Sequence, residues 1–232
     1  MKINMRKITI AIVIFVAQGH MAWSQGFVNL NFESPILPLA PDGGFVQTAN
    51  AIPGWTAYLF ANPQTEIGYN AVSIGGSIIT LNDTNASGSA TAILPIQGKY
   101  SVVLYASQFG PYAPAAIGQT GEIPPDAQSL TFFANLFNFV NFVSTVQVTF
   151  NGQPINYLVT GSTANYNIYA ADISAYAGQT GELLFTATSP SLAILDNIQF
   201  SSTAVPEPST FGLAVLGALV FGLAKKRQRQ QF

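Results

Sequence analysis

Between residues 25 and 204 the chain is built from short runs of Val, Ile, Phe, Tyr and Thr, broken by Gly, Pro, Asn and Asp. Helical spacing is weak throughout, and the short runs read as strands separated by turns. The segment Val146-Gln147-Val148-Thr149-Phe150, followed by Asn151-Gly152 and a second run over 155–159, predicts a hairpin. Asn-Gly is the favoured pair for a type I′ turn because both positions need positive φ. Residues 181–187 alternate, with Leu183 and Phe185 on one face. Residues 99–106 form a nearly continuous apolar strand. Residues 193–200 close the body, with Ile194, Ile198 and Phe200 sharing a parity.

Further strands are expected over 27–32, 55–60, 77–81, 90–94, 129–134 and 166–170. Residues 133–142 read either as a short helix or as a long strand edge. Two echoes, Gly118-Gln119-Thr120-Gly121-Glu122 and Gly178-Gln179-Thr180-Gly181-Glu182, read as turns, since Gly permits the φ values turns need. About ten strands with frequent turn signals predict an all-β fold, a jelly-roll-like antiparallel β-sandwich.

Charge then narrows the partners. Residues 25–204 hold one cation, Lys99, against nine carboxylates, a net charge of −8. Such a body has almost nothing with which to neutralise phosphates, so nucleic acid is excluded as a partner. Acidic surfaces are disfavoured on the same ground, which leaves neutral glycans, cations or other proteins. Net charge of this sign also simply keeps a weakly charged protein soluble. There is no cysteine, and the single histidine is His20. The body therefore has no disulfide, no thiol nucleophile, no Ser-His-Asp triad and no His- or Cys-ligated zinc.

Both ends have a different character. Lys2, Arg6 and Lys7 precede an apolar stretch over 8–17, and Ala22-Trp23-Ser24 supplies small residues at the positions a signal peptidase reads. This predicts a signal peptide over 1–24, cut between Ser24 and Gln25. At the other end, Val205-Pro206-Glu207-Pro208-Ser209-Thr210 precedes an apolar run over 211–224 and a basic tail over 225–232. As a helix the run spans about 21 Å, short of a hydrocarbon core about 30 Å thick. The basic residues would stay cytoplasmic, which puts Pro206-Glu207-Pro208 on the outer side. A permanent tail anchor would carry the same pattern.

The order of motif, apolar run and basic tail resembles the PEP-CTERM sorting signal of Gram-negative bacteria. That resemblance implies recognition at Val205, Pro206, Glu207 and Pro208 by exosortase, a membrane protease-transpeptidase. It also implies transient membrane insertion through 211–224, then transfer to the cell surface or the extracellular space. Within the body, Asn31-Phe32-Glu33, Ile52-Pro53-Gly54-Trp55, Leu195-Asp196-Asn197-Ile198 and the segment 172–179 resemble the signatures of galactose-binding-like and carbohydrate-binding-module jelly rolls. This second resemblance implies a structural calcium ion near the chain ends, with Glu33, Asp42 and Asp196 as its oxygen ligands. The competing reading is that Asp196-Asn197 bulges or ends a strand.

Aromatic side chains are the other candidates for ligand contact, because a sugar ring stacks on an aromatic face. Trp55, Tyr58, Tyr105 and Tyr176 qualify by type. Phe109 and Tyr112, in a Gly-Pro loop, are the expected stacking pair. The function expected is that of a non-catalytic surface or matrix protein associated with extracellular polysaccharide, its partners being signal peptidase, exosortase and a neutral glycan. The alternative is a secreted carbohydrate-active enzyme or its binding module, with two of the nine carboxylates as acid and base.

Overall fold

A computed structural model describes residues 26–71, 75–86, 93–107, 113–137, 143–188 and 190–205. The expected signal peptide over 1–24, the Ser24–Gln25 junction, Phe109, Tyr112, Pro206 to Pro208 and the run over 211–224 lie outside the described residues, as do 138–142 and most of 90–94.

The strands in chain order are β1 (Gly44–Gln47), β2 (Thr56–Leu59), β3 (Asn62–Gln64), β4 (Glu66–Tyr69), β5 (Ile78–Asp83), β6 (Tyr100–Ala106) and β7 (Ala115–Glu122). They continue with β8 (Ser129–Phe137), β9 (Val146–Phe150), β10 (Gln153–Pro154), β11 (Leu158–Ser162), β12 (Asn167–Asp172), β13 (Thr180–Ala187) and β14 (Ser191–Ser201). An eight-stranded sheet has the order β1-β4-β5-β6-β14-β8-β12-β11, and a six-stranded sheet has the order β10-β9-β13-β7-β2-β3. All pairs are antiparallel except β4 with β5. The fold is a β-sandwich, as the run-and-turn pattern predicts.

Alternation builds the core. Leu183 and Phe185 are fully buried, while Glu182, Leu184 and Thr186 take the outer face of the six-stranded sheet. The inward residues of both sheets form one cluster, centred on aromatic contacts: Phe132 meets Phe185 edge-on at 5.3 Å and stacks on Tyr169 at 5.1 Å. Such ring pairs add roughly 0.5–1.5 kcal/mol beyond the area they bury. A second, smaller cluster of Ile93, Ile96, Val103, Tyr105, Leu192 and Ile194 covers the outer face of the eight-stranded sheet.

Four expectations are corrected. Residues 27–32 do not form a strand; Asn29 and Phe32 adopt positive φ of 50° and 56°. The backbone there is satisfied by side chains instead. Gln119 acts as a surrogate strand partner: its Oε1 accepts from the Val28 N–H (2.6 Å) and its Nε2 donates to the Val28 carbonyl (2.9 Å). The indole of Trp55 donates to the Asn29 carbonyl at 3.1 Å.

The glycine-rich echoes are not two turns. Residues 118–122 are the second half of β7, and residues 180–182 begin β13. The echoes pair with one another, Glu122 opposite Thr180 and Gly121 opposite Gly181. Only Gly178, at φ +72°, makes a turn. Gly121 is glycine because Phe27 packs over it: a Cβ there would meet the Phe27 ring and backbone at 3.0 Å.

The shared parity of Ile194, Ile198 and Phe200 fails because β14 is bulged between Asp196 and Gln199, with Asn197 at φ 46°. The extra residue flips the alternation, since side chains on a strand repeat every two residues. Ile194 therefore faces the small outer cluster, while Ile198 faces the main core. This is the bulge reading of Asp196-Asn197. The hairpin at Asn151-Gly152 forms, with φ of 49° and 75°, but its second arm is only β10. The chain then leaves for the other sheet, where β11 pairs with β12.

Strand directions fix two ends. Gly26 bridges Glu122, Phe27 contacts Phe200 at 5.1 Å, and Ser201 pairs with Ser129, so both ends of the described chain lie at one end of the sandwich. Asp83, Tyr100 and Thr180 mark the same end. Leu59, Ala106, Ala115, Val146 and Ala187 mark the opposite end.

Candidate functional site

Two polar constellations stand out, one at each level of the sandwich. The first is an acidic cluster at the end where the termini meet. Asn70, held at φ 49°, donates through Nδ2 to Asp42 Oδ1 (2.8 Å) and Asp83 Oδ1 (2.9 Å), and its Oδ1 accepts from the Asp83 N–H (2.8 Å). Asp83 also accepts from the Tyr69 hydroxyl (2.7 Å) and from the Asn85 N–H (2.8 Å). Burial alone pushes the Asp83 carboxyl upward, but donation from Asn70, Tyr69 and Asn85 outweighs it and holds the group below the usual carboxylate range. The Tyr69 phenol is pushed well above its ordinary value by burial and by the adjacent Asp83 carboxylate.

Across the sheet, Glu33 Oε1 accepts from the backbone N–H groups of Lys99 (2.7 Å) and Tyr100 (3.1 Å). Gly98, at φ +62°, has no Cβ because one would sit 2.1 Å from Glu33 Oε1. Asp196 accepts from Ser101 Oγ (2.6 Å) and from the Asn197 N–H (2.7 Å). Its carboxyl is pushed up to about 7, first by burial and then by the charge of Glu33, against the donors Ser101, Asn197 and Gln97. Lys99 Nζ lies 5.0 Å from the centre of the Tyr100 ring.

The three expected calcium ligands are thus divided. Glu33 and Asp196 are neighbours, whereas Asp42 belongs with Asn70 and Asp83. Among the described residues no group of three Asp, Glu, His or Cys side chains is arranged to hold a metal. Calcium takes six to eight oxygens. The carboxylate oxygens of Asp83 and Asp196 accept from protein donors, and Asp42 lies with Asn70 and Asp83 rather than with Glu33 and Asp196.

The second constellation is a groove of about 300 Å³ on the open outer face of the six-stranded sheet. It follows β7, whose outward residues Ala116 and Gly118 are small. Tyr58 on β2 forms one wall; Glu182, Leu184 and Thr186 on β13 form the other. Ala61 and Pro114 close it toward the end opposite the termini. The Tyr58 hydroxyl donates to Glu182 Oε1 at 3.0 Å, which ties the two walls together. Burial raises the Tyr58 phenol above its ordinary value, and Glu182 raises it further. A Cβ on residue 118 would meet Glu182 Oε1 and Leu184 Cδ1 at 2.9 Å, so glycine there is what lets the walls approach.

Tyr58 is one of the aromatics the sequence offers. No local pattern in the sequence pairs it with Glu182, because the two residues are 124 positions apart. The available signal was the alternation of β13, which puts Glu182 on the same outward face as Leu184 and Thr186. Trp55 and Tyr105 are core residues, at 4% and 2% exposure. Tyr176 packs on Phe150 at 5.2 Å.

Comparison with known proteins bears on the C-terminal segment and the fold. Residues 204–228 match the family model of the PEP-CTERM protein-sorting motif. The motif marks an exported protein that is processed by exosortase and sorted to the cell surface. No curated protein matches the chain. Among solved structures the chain distantly resembles a cyclase from Fischerella sp., at 14% identity and TM-score 0.45, over 76% of this chain and 94% of that one. It also resembles TmCBM61, solved in complex with beta-1,4-galactotriose, at 13% identity and TM-score 0.40, over 77% and 99% of the two chains. The K2 cleaved adhesin domain of Lys-gingipain matches at 14% identity and TM-score 0.39, over 74% and 95%.

Proposed function

We propose that this exported β-sandwich is a non-catalytic surface protein that associates with extracellular polysaccharide. The observation that carries the reading is a sorting motif joined to a sandwich with one open sheet face, whose groove holds a single carboxylate. Glycoside hydrolysis ordinarily needs two carboxyls flanking one bond. In the groove Glu182 has no second acid across from it; the facing group is the Tyr58 hydroxyl. The body also has no histidine or cysteine to act as base or nucleophile.

Polysaccharide suits the groove by shape and chemistry. Pyranose rings have apolar C–H faces and hydroxyl rims, and the groove offers an aromatic wall, small apolar residues and oxygen acceptors. The test is a glycan array probed with the full chain in mild detergent. Retention of at least one polysaccharide without turnover supports the reading. Turnover abolished by a single Asp or Glu substitution would replace it with the enzyme reading.

A further inference from the structure

We infer that the Tyr58–Glu182 groove binds sugar residues bearing a free, protonated amine, so that the polysaccharide recognised is amine-bearing rather than fully neutral or acidic. This inference rests on the polysaccharide reading above and deepens it.

Charge decides the class of sugar. The only ionisable carboxyl in the groove is Glu182, and it stands beside a tyrosine ring and the apolar side chains of Leu184 and Ala116. An ammonium group placed between a carboxylate and an aromatic face gains an ion pair on one side and ring attraction on the other. Glu182 accepts one hydrogen bond from Tyr58, and a carboxylate has about four lone-pair positions, so it has capacity for a further donor. The surroundings reinforce the preference. The body carries a net charge of −8 and its one lysine, Lys99, lies among Glu33, Tyr100 and Asp83 at the end of the sandwich where the termini meet. No cation therefore offsets Glu182, and uronate or phosphate groups would be repelled.

Geometry decides that a ring, rather than an extended cationic chain alone, is held. The floor is small and apolar because β7 presents Ala116 there, while Tyr58, Glu182 and Leu184 close over Gly118 beside it. Thr186 supplies a hydroxyl two residues along the same face from Leu184. A sugar ring standing between the walls places its C–H face against Tyr58 and its polar rim toward Glu182 and Thr186.

The experiment compares ligands of one skeleton with different charge. The full chain in mild detergent is titrated with a glucosamine oligomer, its N-acetylated counterpart, a galacturonate oligomer and a lysine oligomer. The expected order puts the glucosamine oligomer about tenfold or more tighter than the N-acetylated one, with the affinity falling as salt rises. Galacturonate should not bind. Glu182→Gln should weaken glucosamine binding about tenfold with an unchanged melting curve, and Tyr58→Ala should weaken it as well. Gly118→Val should push Glu182 and Leu184 away from Tyr58 and abolish binding; should that variant fail to fold, Glu182→Gln alone decides.

Equal binding of the glucosamine and N-acetylated oligomers, or no effect of Glu182→Gln, overturns the amine assignment and leaves the polysaccharide reading standing. Equal binding of the lysine oligomer overturns the sugar assignment. Absence of binding to every glycan overturns the polysaccharide reading itself, and this inference with it.

Discussion

Asp83 and Asp196 sit near the same end of the eight-stranded sheet, at 4% and 0% exposure, yet their carboxyls shift in opposite directions. Burial raises both. The difference lies in what meets the oxygens. Asp83 is held by a tyrosine hydroxyl, an asparagine amide and the backbone and side chain of Asn85. Asp196 is met by one serine hydroxyl and backbone N–H groups, with the carboxylate of Glu33 nearby. Burial alone therefore does not fix the protonation state of a carboxyl; the number of donors and the nearest charge do.

The strongest way to break this comparison is to remove Asp83. Asp83→Ala would leave the Tyr69 hydroxyl and the Asn70 amide without their buried acceptor. A loss of about 3 kcal/mol in unfolding free energy is expected by urea titration. A loss below about 1 kcal/mol would mean that these donors find water instead.

The second test uses pH. Asp196 has a folded value raised to about 7, so its stabilising contribution is complete below the ordinary carboxylate value and is lost as pH rises through about 7. Going from pH 8 to pH 5 should therefore add roughly 2 kcal/mol of stability. Asp83 has the opposite sign: its contribution is present above the ordinary carboxylate value and is lost as pH falls through its lowered folded value. Melting curves from pH 3 to pH 9 should rise and then fall on acidification. Asp196→Asn should flatten the limb above pH 5 while leaving the acid limb in place.

A smaller effect is expected from Ser101→Ala. It removes a donor that favours the charged form of Asp196, so the carboxyl should titrate higher, with a stability loss of about 1 kcal/mol at neutral pH. NMR titration of the Asp196 carboxyl carbon reads the shift directly. The smallest effect should come from Lys99→Met. Its side chain is solvated, and the melting temperature should not change measurably.

Legibility in the sequence followed the same divide between local and assembled features. The alternation of Leu183 and Phe185 and the Asn151-Gly152 turn were readable because each is a property of a few consecutive residues. The bulge at Asn197 was readable as an alternative but not as a consequence, because one extra residue changes the facing of everything after it. The short strands β1, β3 and β4 carry no long alternating run. The glycines of β7 looked like turn residues because what excludes a Cβ, Phe27 over Gly121 and Glu182 over Gly118, comes from distant parts of the chain. The groove itself draws on β2, β7 and β13, so no window of sequence contains it.

The last strand has a mechanical consequence. β14 runs from the end bearing the β13–β14 connection to the end where the termini meet, and it is hydrogen-bonded on both sides, to β6 and β8. A pull applied to the chain beyond residue 205, with the far end of the sandwich held, would load β14 along its length. The ladders on both flanks then resist by sliding past one another, with many bonds loaded together, instead of being unzipped one at a time. A protein held at a surface through this strand would have its hydrogen-bond ladders in line with the load.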